Sequence, residues 1–85
     1  MTNRDIYQQN VEAIYDKRQQ LKELNNWLIK LGVKRTTAEM CGEDKQIIKK
    51  LETNYQEVEQ TCEEIEREIK QMERDFVIWR QNASY

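Results

Sequence analysis

The second half of the chain carries an apolar pattern that is typical of one long helix packed against another. Its apolar residues follow one another at alternating steps of three and four. They are Ile48, Leu51, Tyr55, Val58, Cys62, Ile65, Ile69, Met72, Phe76 and Trp79. An ordinary amphipathic helix would drift from such a repeat by about 20° per heptad. The pattern therefore predicts a helix in a left-handed supercoil, with Ile48 at position a and Leu51 at position d of the heptad.

The first half of the chain predicts a second, shorter helix. Its apolar stripe consists of Tyr7, Val11, Ile14, Leu21, Leu28 and Leu31. Thr2 or Asn3 is a suitable N-cap. Trp27 beside the stripe is expected to pack in the core between the helices, and the alternative is that it anchors a partner. Gly32 is the predicted end of this helix, because a glycine adopts the left-handed conformation at a helix C-terminus without strain.

The connection between the two helices leaves two alternatives. Thr36 and Glu39 have the spacing of a capping box, which would start the second helix at Thr37. A turn at Gly42 would start it near Glu43 instead. We expect a single hairpin over residues 1–85, with helix 1 at about 4–31, a turn at about 32–43 and helix 2 at about 44–82.

The distribution of charge favours an antiparallel arrangement. Residues 1–42 contain seven basic and five acidic side chains, whereas residues 43–85 contain seven basic and eleven acidic ones. Opposite net charges favour folding of the two halves onto each other. The predicted fold is all-α, an antiparallel two-helix coiled-coil hairpin that assembles into a larger helical bundle, since a chain this short buries little core on its own.

The unequal helix lengths predict a protein-binding surface at the end of helix 2. Helix 1, at about 28 residues, is too short to cover helix 2, at about 40 residues. Apolar residues beyond its end would be exposed, and an exposed apolar patch of this kind usually marks an interface. The predicted interface residues are Ile65, Ile69, Met72, Phe76, Val77, Ile78 and Trp79.

Several classes of function are disfavoured by composition. A net charge of -2 gives no reason to expect nucleic acid. No apolar run approaches the roughly 20 residues of a membrane span, so no membrane insertion is expected. The chain has no histidine, and it shows no phosphate-binding loop or catalytic set, so we expect no enzyme activity, metal or cofactor. Cys41 and Cys62 are too far apart for a disulfide on one helix, which favours a reducing compartment, the cytoplasm or nucleus.

Part of the chain resembles the first two helices of a spectrin repeat. The resemblance covers about Leu21 to Ile65. The matching elements are Trp27-Leu28, the loop Gly42-Glu43-Asp44, and the apolar positions Ile47, Leu51 and Val58. The chain departs from the family because it has no third helix. The resemblance implies that another chain supplies this helix, and that the protein has a cytoskeletal or scaffolding role.

These features predict a structural or scaffolding module. It would bind proteins through its heptad seam, the ten apolar residues from Ile48 to Trp79, and through the 72–79 end. The expected partner is a second copy, another helical subunit, or both, so that the protein is a homo- or hetero-oligomer. The alternative is a small regulatory protein, for example viral or bacterial, that inhibits an enzyme or binds a host helix in a groove.

Overall fold

The protein is an all-α antiparallel hairpin of two long helices. The computed structural model describes residues 2–83 and contains helix α1 at Asn3–Met40 and helix α2 at Lys45–Asn82, each of 38 residues. The two helices form an elongated body of 63 × 16 × 14 Å. Ion pairs between distant residues show the antiparallel direction, because Lys17 pairs with Glu68 whereas Arg35 lies 3.9 Å from Glu52.

Helix α1 begins where the sequence predicts but ends nine residues later. Thr2 caps it in a capping box, in which the Thr2 hydroxyl accepts from the Asp5 amide and the Asp5 carboxylate accepts from the Thr2 amide, both at 3.2 Å. The predicted stop at Gly32 is wrong. Leu31 just before Gly32 is only 4% exposed and Ala38 six residues beyond it only 7%, so both sides of the glycine are buried against α2, and this burial offsets the roughly 1 kcal/mol that a helical glycine costs.

Gly42 ends α1 in place of Gly32. Its φ is +68°, its amide donates to the Glu39 carbonyl at 3.3 Å, and the Glu43 amide donates to the Ala38 carbonyl at 3.0 Å. These bonds form a Schellman motif, the usual termination of a helix by a left-handed glycine. The turn therefore spans residues 41–44 rather than 32–43.

Helix α2 starts at the second of the two predicted positions. The Asp44 side chain accepts a hydrogen bond of 2.9 Å from the Gln46 amide and acts as the N-cap. Thr36 lies inside α1 instead of capping α2.

The ten heptad residues predicted on α2, which form the heptad seam of this helix, face α1 along its whole length. All ten are buried or half-buried, and Cys62, Ile65 and Ile69 are the most buried of them. The matching seam of α1 differs from its predicted stripe. Its buried or half-buried members with the same spacing are Asn10, Ile14, Lys17, Leu21, Leu24, Leu28, Leu31, Arg35 and Ala38.

Polar residues at three of these seam positions hid the register of α1. Lys17 and Arg35 lie in the seam and extend their charged ends to carboxylates of α2. Val11, which belongs to the predicted stripe, is left exposed beside the seam. Trp27 is also exposed by nearly half, so its predicted position in the core is wrong.

Candidate protein-binding surface

The structure divides the seven predicted interface residues into two groups. Ile65 and Ile69 are buried against α1, and they are joined there by three half-buried neighbours, Met72, Phe76 and Trp79. Val77 and Ile78 are 51% and 56% exposed. The first five therefore hold the hairpin together, and the last two are open to a partner.

The predicted overhang of α2 is absent. The ring of Tyr7 on α1 lies 5.2 Å from the ring of Phe76, so α1 extends alongside the end of α2. Phe76 also stacks on Trp79 at 6.1 Å, and the Arg80 guanidinium lies 5.6 Å from the Tyr7 ring and 5.8 Å from the Phe76 ring. The overhang prediction failed because it placed the end of α1 at Gly32, and the equal helix lengths remove it.

Val77 and Ile78 are exposed for a reason that does not depend on an overhang. Residues 76–79 are four consecutive apolar residues, and successive positions of a helix are about 100° apart. Such a run covers the whole circumference of α2, whereas α1 covers one side only. A helix that is apolar all round is normally enclosed by its neighbours.

The outer surface at this end of α2 is a shallow open groove. Its lining consists of Lys70, Glu73, Arg74, Val77 and Ile78. Glu73 forms an ion pair with Arg18, while Lys70 and Arg74 have no ion pair within residues 2–83. The groove therefore offers two apolar side chains next to unpaired positive charge.

Helix α1 exposes apolar side chains that sequence reasoning did not assign to a surface. Val11, Tyr15, Ile29 and Val33 are all more than a third exposed. The heptad spacing of α1 could have revealed them. When Lys17 is counted as a heptad position between Ile14 and Leu21, the four exposed residues fall outside the heptad positions that face α2. The presence of lysine at a seam position obscured this spacing.

Two sides of the hairpin flank the seam, and ion pairs identify them. On one side Arg18 pairs with Glu73, and Arg35 approaches Glu52. On the other side Lys17 pairs with Glu68 at 2.7 Å. The ammonium group of Lys34 lies 5.5 Å from the Trp27 ring centre.

The Cys62 thiol, which lies in the seam, is not activated as a nucleophile. Burial raises the pKa of the Cys62 thiol, and the carboxylates of Glu66 and Glu59 raise it further. A raised pKa keeps the thiol protonated, and therefore poor as a nucleophile, at neutral pH. No group of three or more His, Cys, Asp or Glu side chains in residues 2–83 is arranged to hold a metal ion.

Neither helix, as far as the structure describes them, is long and apolar enough to cross a membrane. No protein-family model, curated protein or solved structure matches the chain.

Proposed function

We propose that this protein is a non-enzymatic structural module that assembles with other helical proteins through the 72–79 end. The observation that carries the proposal is the exposure of Val77 and Ile78 within an apolar run that encircles α2. Their enclosure requires surface from outside the hairpin, since α1 already occupies the opposite side.

The heptad seam has a different part in this proposal from the 72–79 end. Its residues are covered by α1, so the seam holds the two helices together as a rod about 63 Å long. The rod presents the end residues at a defined position. Both cysteines are free, Cys41 exposed and Cys62 buried, which suits the reducing cytoplasm or nucleus.

A hairpin of this kind has a thin core, which supports assembly. Within residues 2–83 the buried apolar side chains are Leu31, Ala38, Cys62, Ile65 and Ile69. Small helical scaffolds commonly gain further buried surface by association. The spectrin-repeat resemblance is consistent with the same proposal, because it implies a helix contributed by another chain.

Replacement of Val77 and Ile78 by glutamine tests the proposal. Glutamine is a good helix former, so far-UV circular dichroism of the double variant is expected to match that of the unaltered chain. The tagged chain is expected to co-purify with a stoichiometric helical subunit, or with untagged copies of itself, from its native cells. The double variant is expected to lose that partner.

Met40→Gln is the matched control, because Met40 is an exposed apolar residue at the other end of the hairpin. The control is expected to retain the partner. Equal recovery with the double variant, or a chain that is always isolated alone and monomeric, overturns the proposal. Recovery of an enzyme in place of a structural subunit supports a regulatory function instead.

Phe76→Ala and Trp79→Ala are less suitable as tests. Phe76 contacts Tyr7 across the hairpin, so its truncation also weakens the pairing of α1 with α2. The exposed pair at 77 and 78 separates binding from folding.

A further inference from the structure

One side of the hairpin combines apolar and charged residues in an ordered way. We call it the Arg18 face. On α1 it comprises Val11, Tyr15, Arg18, Lys22, Asn25 and Ile29. On α2 it comprises Glu59, Glu63, Glu66, Lys70, Glu73 and Val77. Residues at intervals of four and seven lie on the same side of a helix, and the Arg18–Glu73 pair fixes which side this is.

The charges of this face are separated by helix. In its middle, α1 contributes the basic residues Arg18 and Lys22, and α2 contributes the acidic residues Glu59, Glu63 and Glu66. Arg18 pairs within the chain. The other four are exposed and form no ion pair within residues 2–83. The face therefore has unused charge of both signs, in two parallel strips.

Three of the four exposed apolar residues of the face lie near one end, and the fourth, Ile29, lies further along α1. Val11 and Tyr15 on α1 and Val77 on α2 are exposed at the end of the hairpin where both helices have their termini. Thus each strip of the face has an apolar end and a charged middle, and the charges of the two middles are opposite, with Lys70 of α2 as a basic residue between the acidic middle and the apolar end.

We propose that the Arg18 face binds a second copy of this chain, with α1 of each copy packed on α2 of the other. This inference rests on the proposed function and names its partner. A two-fold axis parallel to the long axis of the hairpin produces this arrangement, and two-fold symmetry is the commonest form of self-association. The product is an antiparallel four-helix bundle in which the start of each α1 and the end of each α2 lie at the same end.

The level of each residue along the rod supports this register. Arg18 is level with Glu73 and Lys17 with Glu68, so Lys22 is close to the level of Glu63 and Glu66. In the dimer Lys22 faces these two carboxylates of the partner. Val11 and Tyr15 lie beside the partner's Val77.

The charges reject the other full face-to-face packing. A two-fold axis across the rod would place α1 on α1 and α2 on α2, in opposite directions. The middle of α2 would then face itself, which brings Glu63 and Glu66 against the same residues of the partner. Like charges across a helix pair are unfavourable, and flanking charges set the orientation of packed helices.

Sedimentation equilibrium of the pure chain tests the inference. We expect a monomer–dimer equilibrium. Val77→Gln is expected to raise the dissociation constant about tenfold or more, because its apolar contact with the partner is lost twice in a symmetric dimer. Ile78→Gln is expected to change it less than about twofold, since Ile78 lies off the Arg18 face. The two residues are adjacent and almost equally exposed, which makes Ile78 a matched control.

Charge reversal tests the register. Lys22→Glu alone, and Glu63→Lys with Glu66→Lys, are each expected to weaken the dimer about tenfold. The three changes together in one chain are expected to restore the dissociation constant to within about threefold, because every reversed contact again joins opposite charges. Lysine and glutamate are both good helix formers, so the dichroism should stay the same.

Three results overturn the inference. They are a wild-type chain that is monomeric at every concentration, equal effects of Val77→Gln and Ile78→Gln, and failure of the triple variant to recover. A monomeric chain that still binds another helical subunit through Val77 and Ile78 refutes the inference alone. Binding of that subunit by the Val77→Gln, Ile78→Gln double variant refutes the proposed function.

Discussion

The two glycines of the chain are expected to respond in opposite ways to the same substitution. At Gly42 the backbone has a φ of +68°, which costs a residue with a side chain about 1–2 kcal/mol. The lower freedom of alanine in the unfolded chain offsets about 0.4–1 kcal/mol of this cost. We therefore expect Gly42→Ala to lower the free energy of unfolding by about 1 kcal/mol.

Gly32→Ala is expected to raise the free energy of unfolding. Gly32 lies inside α1, and a Cβ added there would meet the Tyr55 ring at 3.5 Å, an ordinary van der Waals distance. The gain is about 0.5–1 kcal/mol, the difference between alanine and glycine in a helix interior. The two variants should thus differ by roughly 2 kcal/mol, or roughly 10 °C in melting temperature for a chain of this size.

Thermal and urea unfolding followed by far-UV circular dichroism measures both effects. Gly32 lies beside the Arg18 face, so each melt is repeated at a tenfold higher protein concentration to separate folding from association. Destabilisation by Gly32→Ala, together with no effect of Gly42→Ala, would refute the reasoning. That result would mean that α1 ends at Gly32, as its sequence pattern predicts.

The remaining predictions concern the seam and the two cysteines. Ile65→Ala should lower the free energy of unfolding by about 2–3 kcal/mol in urea melts, because Ile65 is buried between the helices; a change below about 0.5 kcal/mol would contradict this packing. Lys17→Leu should raise it by about 1 kcal/mol, since an exposed ion pair contributes under about 1 kcal/mol and an apolar side chain at a seam position contributes more. Alkylation followed by mass spectrometry should label exposed Cys41 before buried Cys62, both equally in denaturant. The raised pKa of Cys62 favours the protonated thiol in the folded state, so its contribution to stability is complete below the ordinary thiol pKa and is lost as the pH rises above it.

The buried side of α2 was predictable from the sequence because its heptad pattern is local and regular. Every residue from Ile48 to Trp79 in the predicted heptad is turned towards α1, and the predicted end of α2 agrees with the structure. A helix with a strict heptad repeat has only one apolar side to bury, so the periodicity of the sequence is sufficient to predict which side of α2 faces α1.

The path of α1 depended on contacts that the sequence does not display. Gly32 and the polar residues 34–37 have the local pattern of a helix end, and the helix continues because Ala38, six residues beyond the glycine, is buried by α2. Likewise, a lysine is normally expected on the surface. Lys17 is tolerated at a seam position because its ammonium group reaches the carboxylate of Glu68 on the other helix.

The candidate protein-binding surface depends both on a local sequence pattern and on contacts between the two helices. The spacing of residues 76–79 is enough to predict that apolar side chains surround α2 there, since successive side chains of a helix point in fixed directions. Which of these side chains are exposed depends on the packing of the two helices, because the side of α2 that α1 covers is set by where α1 ends and by the register of its seam. Val77 and Ile78 remain exposed for that reason, and Phe76 and Trp79 do not.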